Sequence, residues 1–201
     1  MTATRPGGRR VGEQRPGGRA ERVRSAVLDA TAELLEEVGY DRFGIDDVAT
    51  RAGVHKTTVY RRWPTKPELV ADAVQAHSEV HVPIPDTGDV HADLQALARS
   101  VVANIGSVGG ARRSRSIVAA AAHSEELAAS LRAFWSDRLG AAVPIVERAV
   151  ARGDLPPDTD PILLIETLVG PIWLRLLMTG EPIDDGLADR VTELVLTGAA
   201  P

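Results

Sequence analysis

Between Arg51 and Lys66 the chain places five cations, Arg51, Lys56, Arg61, Arg62 and Lys66, and no carboxylate. Interleaved with them are His55, Thr57, Thr58 and Tyr60, whose ring nitrogens and hydroxyls make hydrogen bonds. That mixture suits a polyanion, because ammonium and guanidinium groups meet phosphate oxygens while the neutral donors read base edges. A basic run is also a common solvated helix face. The rest of the chain sharpens the contrast: net charge is −5, with 13 Lys and Arg against 11 Asp and Glu in residues 1–77 and 10 against 17 in residues 78–201. Such asymmetry implies different partners for the two halves. Only two lysines occur beside 21 arginines, and both, Lys56 and Lys66, fall in this basic segment.

The elements that would position these side chains read as two short helices around a glycine. Ile45 to Ala52 fits one helix and Lys56 to Trp63 the next, with Gly53 free to turn left-handed between them and Pro64 as a stop. Ala49 is small enough for the helices to cross, and Val48, Val54 and Val59 lock them. His55, Lys56, Thr57, Thr58, Tyr60 and Arg61 are then offered outward, and Trp63 is expected in the core.

Around this pair the chain reads as helices throughout, so an all-α fold is expected: an N-terminal three-helix DNA-binding domain with the helix-turn-helix, followed by a larger helical one. Residues 1–20, with R-P-G-G-R twice, read as a basic disordered tail, an arm for DNA or an uncommitted end. Residues 21–80 read as the helix-turn-helix domain. They open with Val23, Val27, Ala30, Leu34 and Val38 at helical spacing and end in a helix that Thr65 and Glu68 start with a capping box. Residues 81–201 read as a second helical domain. Its helices include one closed by Gly106 to Gly110, a long one kinked at Pro144, Pro161 to Met178, apolar nearly all round, and Asp185 to Thr197. The last two are expected to pair with their copies through Leu164, Leu168, Ile172, Leu187, Val191 and Leu194.

Several classes of function find no support. Cysteine is absent, which removes disulfide scaffolds and thiolate chemistry. The apolar runs are short of the roughly 20 residues that span a bilayer, and the Arg-rich start lacks a signal-peptide core, so a cytoplasmic protein is expected. Neither a phosphate-binding glycine motif nor a serine elbow occurs, and no cofactor is called for. His77 and His81, four apart, with Asp86 and His91 beyond, make a weak metal constellation against a reading as exposed linker histidines, and no metal is expected. Arg112, Arg113 and Arg115 could hold an anion, or simply form a solvated loop.

The stretch from Ala26 to Val74, centred on G-V-H-K-T-T-V-Y-R-R-W-P-T-K-P-E-L, resembles the DNA-binding domain of the TetR family of one-component transcriptional regulators. Gly170 to Asp184, G-P-I-W-L-R-L-L-M-T-G-E-P-I-D, is similar to the end of a common C-terminal domain of that family. The resemblance implies an all-helical homodimer in which Lys56 to Trp63 enters the major groove. Thr57, Thr58 and Tyr60 match positions that touch phosphates or bases, and Lys66 matches a lysine that grips phosphate; His55 and Lys56 are the expected base contacts. Gly44 stands where the family has threonine, either as a plain N-cap or as a positive-φ turn, and His55 stands where it often has serine.

By the same resemblance residues 81–201 are the ligand-binding and dimerisation domain, and a small effector sits among its middle helices. There Asn104, Ile117, Phe134, Trp135, Trp173 and Met178 offer a mostly apolar lining, which points to a hydrophobic molecule. The expected function is a ligand-responsive repressor released from an inverted-repeat operator. The alternatives are an enzyme of small hydrophobic substrates and a helical protein-interaction module.

Overall fold

The computed structural model describes residues 18–199, and among these every regular element is helical. The chain runs through α1 (Gly18–Glu37), a 3-10 turn (Tyr40–Arg42), α2 (Ile45–Arg51), α3 (Lys56–Arg62), α4 (Lys66–His81), α5 (Val90–Gly106), α6 (Val108–Ala121), α7 (Glu125–Arg152), α8 (Pro161–Leu174), a π-helical turn (Arg175–Thr179) and α9 (Asp185–Ala199). Most of the tail anticipated over residues 1–20 lies outside the described residues. Its last three are already helical, since α1 starts at Gly18.

Caps written in the sequence set most of the helix starts. Thr65 accepts from the Glu68 amide and Glu68 answers the Thr65 amide; Asp89, Ser124 and Asp160 likewise accept from the first turns of α5, α7 and α8. Gly153 ends α7 at φ +83°, a conformation that costs a side chain dearly. The helix before it runs on through Pro144.

One boundary departs from expectation. Gly109 and Gly110 do not close α5; they belong to the first turn of α6, which Ser107 caps by accepting from the Gly110 amide at 3.0 Å. A Cβ on Gly110 would lie 2.0 Å from the Asn104 carbonyl oxygen, so only glycine lets α6 turn back this tightly on the end of α5.

Two apolar clusters organise the packing. The first gathers Val27, Leu35, Val48, Val59 and Leu69 from α1 to α4, and also Ile117 from α6 and Leu127 from α7. The second gathers Leu94, Ile105, Ile145, Ile165, Leu168 and Ile172 from α5, α7 and α8. The N-terminal helices thus share their core with α6 and α7, and α1 rests directly on α6.

The seam assigned to the last two helices needs correction. Leu168 and Ile172 are fully buried, and Leu164, Leu187 and Val191 are at most 6% exposed, all within the chain's own core. Those side chains cannot face a copy. Leu194, 71% exposed, does face outward, together with Leu163, Leu174, Leu177 and Met178. The all-round apolarity of α8 therefore serves two sides at once. By length and composition Pro161–Thr179 could cross a membrane, contrary to the reading from its short apolar runs, but one side of it packs against α5, α7 and α9.

Candidate nucleic-acid interface and ligand cavity

The glycine turn between α2 and α3 forms as the sequence requires: Gly53 adopts φ +65° and its neighbour Val54 donates to the Ala49 carbonyl at 3.0 Å. His55 is the N-cap of α3, its Nδ1 3.4 Å from the Thr57 amide and 2.9 Å from Thr57 Oγ1. Along α3, Val59 is buried and His55, Lys56, Thr57, Tyr60, Arg61 and Arg62 are exposed, with Thr58 half-buried. Trp63 follows with its ring in the core and its indole N–H on Asp72 at 2.9 Å.

Burial and pairing divide the five cations of the basic run. Arg51 turns back to α1, where it pairs with Glu37 at 2.7 Å and Glu33 at 3.5 Å. Those carboxylates raise the Arg51 pKa further, and the Arg51 hydrogen bond lowers that of Glu37. Lys56 reaches Asp46 at 3.1 Å, both groups more than half exposed, so the contact is weak and exchangeable. Arg61 and Arg62 stand on the surface beside Tyr60, Arg62 lying over the Trp63 ring at 5.3 Å.

Lys66 behaves differently from a surface phosphate clamp. Its ammonium is half-buried, donates to the Phe43 carbonyl at 2.6 Å and to the Tyr40 carbonyl, and lies about 4 Å from both aromatic rings. Burial lowers its pKa. Two of its three protons therefore hold the 3-10 turn against the start of α2.

Gly44 caps α2 with φ −119°, which disposes of the positive-φ alternative. Asp47 accepts from the Gly44 amide at 2.7 Å, completing half of a capping box that a hydroxyl at residue 44 would close.

A cavity of about 100 Å³ lies among α4 to α8. Asn104, Ile117, Phe134, Trp135 and Trp173 line it; Met178, on the π-helical turn, is 78% exposed and does not, which corrects its assignment. Phe134, Trp135 and Trp173 form an edge-to-face chain with centroids 5.3 and 5.0 Å apart. Among the described residues no Asp or Glu lines this wall.

Sequence spacing missed the polar corner of this cavity, His77, Arg113 and Arg138, because the three lie on different helices, α4, α6 and α7. His77 is no exposed linker residue: its ring stacks on His81 at 3.9 Å and its Nε2 lies 3.0 Å from Asn104 Oδ1. Burial, then Arg113 and His81, push its pKa down to about 4, so it is neutral at pH 7. Among the described residues no cluster of potential ligands could hold a metal.

Arg112, Arg113 and Arg115 do not form a solvated loop either, because α6 carries them into contacts with other helices. Arg113, 4% exposed, donates to Asn104 Oδ1 at 2.6 Å and pairs with Glu36 on α1. Arg112 donates to the Glu36 carbonyl at 3.0 Å and to that of Glu37, capping the end of α1. Tyr40 donates its amide to Ser116 Oγ at 3.0 Å, and Arg115 reaches the Leu176 carbonyl at 2.9 Å. One helix thus touches both the cavity and the DNA-binding half.

A helix-turn-helix with an exposed basic second helix, joined through α6 to a closed helical half with an apolar cavity, has the build of a DNA-binding regulator with a sensor domain. Sequence comparison gives the family. Residues 27–73 match the pattern described as bacterial regulatory proteins, tetR family, and residues 84–195 match the tetracyclin repressor-like C-terminal domain. The chain is 39% identical over 185 residues to the HTH-type transcriptional regulator AqdR of Rhodococcus erythropolis, covering 92% of this chain and 89% of that one. It is 32% identical over 189 residues to the DNA-binding transcriptional repressor TetR of Mycobacteroides abscessus, covering 89% and 94%. The crystal structure of the TetR family transcription regulator SCO0332 superposes with a TM-score of 0.76 at 34% identity, over 90% of this chain and all of that one. The protein belongs to the TetR family of transcriptional regulators.

Proposed function

We propose that the protein is a homodimeric cytoplasmic repressor that binds an inverted-repeat operator through α3 and releases it when a small apolar molecule enters the cavity. Residues 21–80 serve as the DNA-binding unit and residues 81–201 as the sensing and pairing unit. His55, Lys56, Thr57, Thr58, Tyr60 and Arg61 are the DNA contacts, with Arg62 added for its exposure beside them. A two-fold dimer imposes its symmetry on the operator.

The observation that carries this reading is the joint between α1 and α6. Arg113 lines the cavity and pairs with Glu36, while Arg112 and Ser116 hold the end of α1 and the turn after it. Filling the cavity shifts α6, and α1 moves with it, changing the distance between the two α3 helices of a dimer. Effector and operator then favour different arrangements of the same pair, which makes their binding antagonistic in both directions.

Pairing uses the outer face of α8 and its continuation. Leu163 at its start and Leu174, Leu177 and Met178 at its end are exposed, flanked by Leu194 of α9, and Gly170 between them leaves room for a second helix to approach closely. An apolar stripe of that length is stable in water only when covered.

Titration of labelled duplexes tests the reading. Sequence-selective, salt-dependent binding of two chains per inverted repeat is expected, and binding that ignores sequence or involves one chain contradicts it.

A further inference from the structure

The polar side chains of the cavity wall that hydrogen-bond through more than an indole are Arg113, Arg138, Asn104, His77, Ser78 and Ser114. Every one of them can donate a hydrogen bond, and none carries a negative charge. Ser78 on α4 and Ser114 on α6 are 6% and 8% exposed, and among the described residues neither hydroxyl has a partner. A serine side chain is so short that lining the wall puts its hydroxyl on the wall. Both hydroxyls are open to a small molecule, since among the described residues the one unpartnered side-chain polar atom sealed from contact is the indole nitrogen of Trp173. The residues preceding the two serines, His77 and Arg113, meet at the same Asn104 oxygen, so α4 and α6 close on each other there.

The two guanidinium groups differ in what they have left to give. Arg113 is matched by Glu36 and bonds Asn104 as well. Arg138, on α7, donates to the Val82 carbonyl at the end of α4, and among the described residues it forms no ion pair. The Val82 amide in turn donates to the Ser78 carbonyl at 2.9 Å, so Arg138 and the Ser78 hydroxyl reach the cavity at the same last turn of α4. Two carboxylates stand just outside the wall: Glu36, already paired, and Glu166, exposed in an outer pocket that shares Trp135 and Trp173 with the cavity. Glu166 disfavours a second negative charge beside the tryptophans, while Arg138 favours one beside α4. A cation entering the cavity would lose its water and meet only like charge, and a wholly apolar molecule would bury two hydroxyls without partners.

Resting on the reading of this cavity as the effector site, we infer that the effector is an apolar molecule ending in a carboxylate, which pairs with Arg138 and accepts from the Ser78 and Ser114 hydroxyls. Its apolar body lies against Phe134, Trp135 and Ile117. A guanidinium fork takes a carboxylate through two parallel hydrogen bonds, whereas an amide of the same shape offers it one oxygen and no charge. Discrimination between the two therefore reads the contact with Arg138.

Three probes of one size test this by calorimetry at pH 7: 3-phenylpropanoate, its neutral amide 3-phenylpropanamide, and the cation 3-phenylpropylamine. Wild-type protein is expected to bind the carboxylate at least tenfold more tightly than the amide or the amine. Arg138→Gln is expected to weaken the carboxylate about tenfold and leave the amide within twofold, so the amide also reports that the variant is folded. A second variant, Ser78→Ala with Ser114→Ala, keeps Arg138 and is expected to weaken the carboxylate about tenfold with little change in melting temperature. Tightest binding by the amide or the amine overturns the inference, as do binding by none of the three, equal losses of carboxylate and amide in Arg138→Gln, and full carboxylate affinity in either variant. Release of a duplex selected by wild-type protein is measured on the same preparations. Carboxylate binding as expected without release overturns the effector reading and leaves the site standing, whereas release by the amide or the amine alone overturns the carboxylate and leaves the regulatory reading.

Discussion

Arg113 of α6 and Glu36 of α1 form an ion pair across the joint between the cavity and the DNA-binding helices. The two ends differ in environment, since the Arg113 side chain is 5% exposed and that of Glu36 is 36% exposed. Glu36→Gln removes the counter-charge of a buried guanidinium and leaves it only neutral acceptors, the Asn104 oxygen and the new amide oxygen, at a cost of about 1–3 kcal/mol. Denaturant unfolding should show that loss. If the pair also transmits the cavity's state, the factor by which an effector weakens operator binding should fall in this variant, while effector affinity in the absence of DNA changes less. An unchanged factor would remove the pair from the coupling route.

Lys66 should act on stability more than on DNA. Lys66→Met leaves the Tyr40 and Phe43 carbonyls without their donor, at about 1–3 kcal/mol. The slope of log affinity against log salt should stay as in wild type, whereas Arg61→Ala should reduce it by about 0.9 per site. A lowered slope in Lys66→Met restores the lysine to the phosphate backbone.

Gly44→Thr should tighten DNA binding. With φ at −119° and the nearest atom to a new Cβ at 3.8 Å, a threonine fits without strain. Its hydroxyl would change helix stability by only a few tenths of a kcal/mol, but a hydrogen bond to phosphate contributes about 1.5–3 kcal/mol. Affinity should therefore rise roughly tenfold for specific and non-specific duplexes alike, with the melting temperature nearly constant. A large loss of stability contradicts this.

His77 gives the protein an acid-sensitive cavity wall. Its pKa in the folded chain, about 4, lies below the ordinary 6.5, so the unfolded chain binds the extra proton first as pH falls. The stabilisation from a neutral His77 is complete above pH 6.5 and is lost progressively down to about pH 4. Arg113 and His81 disfavour the proton, while Asn104 and, more distantly, Asp29 favour it. His77→Gln should flatten that part of the stability curve, read as melting temperature against pH.

The pairing face distinguishes two leucines on one helix. Leu174→Asp, at a position 55% exposed, should yield a folded monomer by light scattering at micromolar concentration. Leu168→Asp, at a fully buried position, should instead fail to fold. A dimeric Leu174→Asp protein would place the seam elsewhere.

The contrast between those leucines also marks how far the sequence could be read. Periodicity, glycine turns and caps are local, so the helix-turn-helix around Gly53, the Thr65 cap and the all-helical architecture were legible. Helix α8 is apolar nearly all round, and periodicity cannot say which side meets its own chain; the α8 residues chosen for the seam, Leu164, Leu168 and Ile172, were the ones in the core. Likewise the basic run counts five cations, but only packing shows that Arg51 belongs to Glu37 and that Lys66 faces inward. The aromatic lining of the cavity stood out because aromatics are few, while Arg113 and His77 had no neighbour in sequence to betray their meeting at Asn104.

Selection of bound duplexes from a random pool, by wild-type protein and by an Arg61→Ala, Tyr60→Ala variant, tests the central claim most directly. A dimer reading DNA through α3 should enrich an inverted repeat with half-sites about one helical turn apart, and the variant should lose that enrichment while remaining a folded dimer. Recovery of the same sequences by the variant, or no enrichment by the wild-type protein, would contradict it.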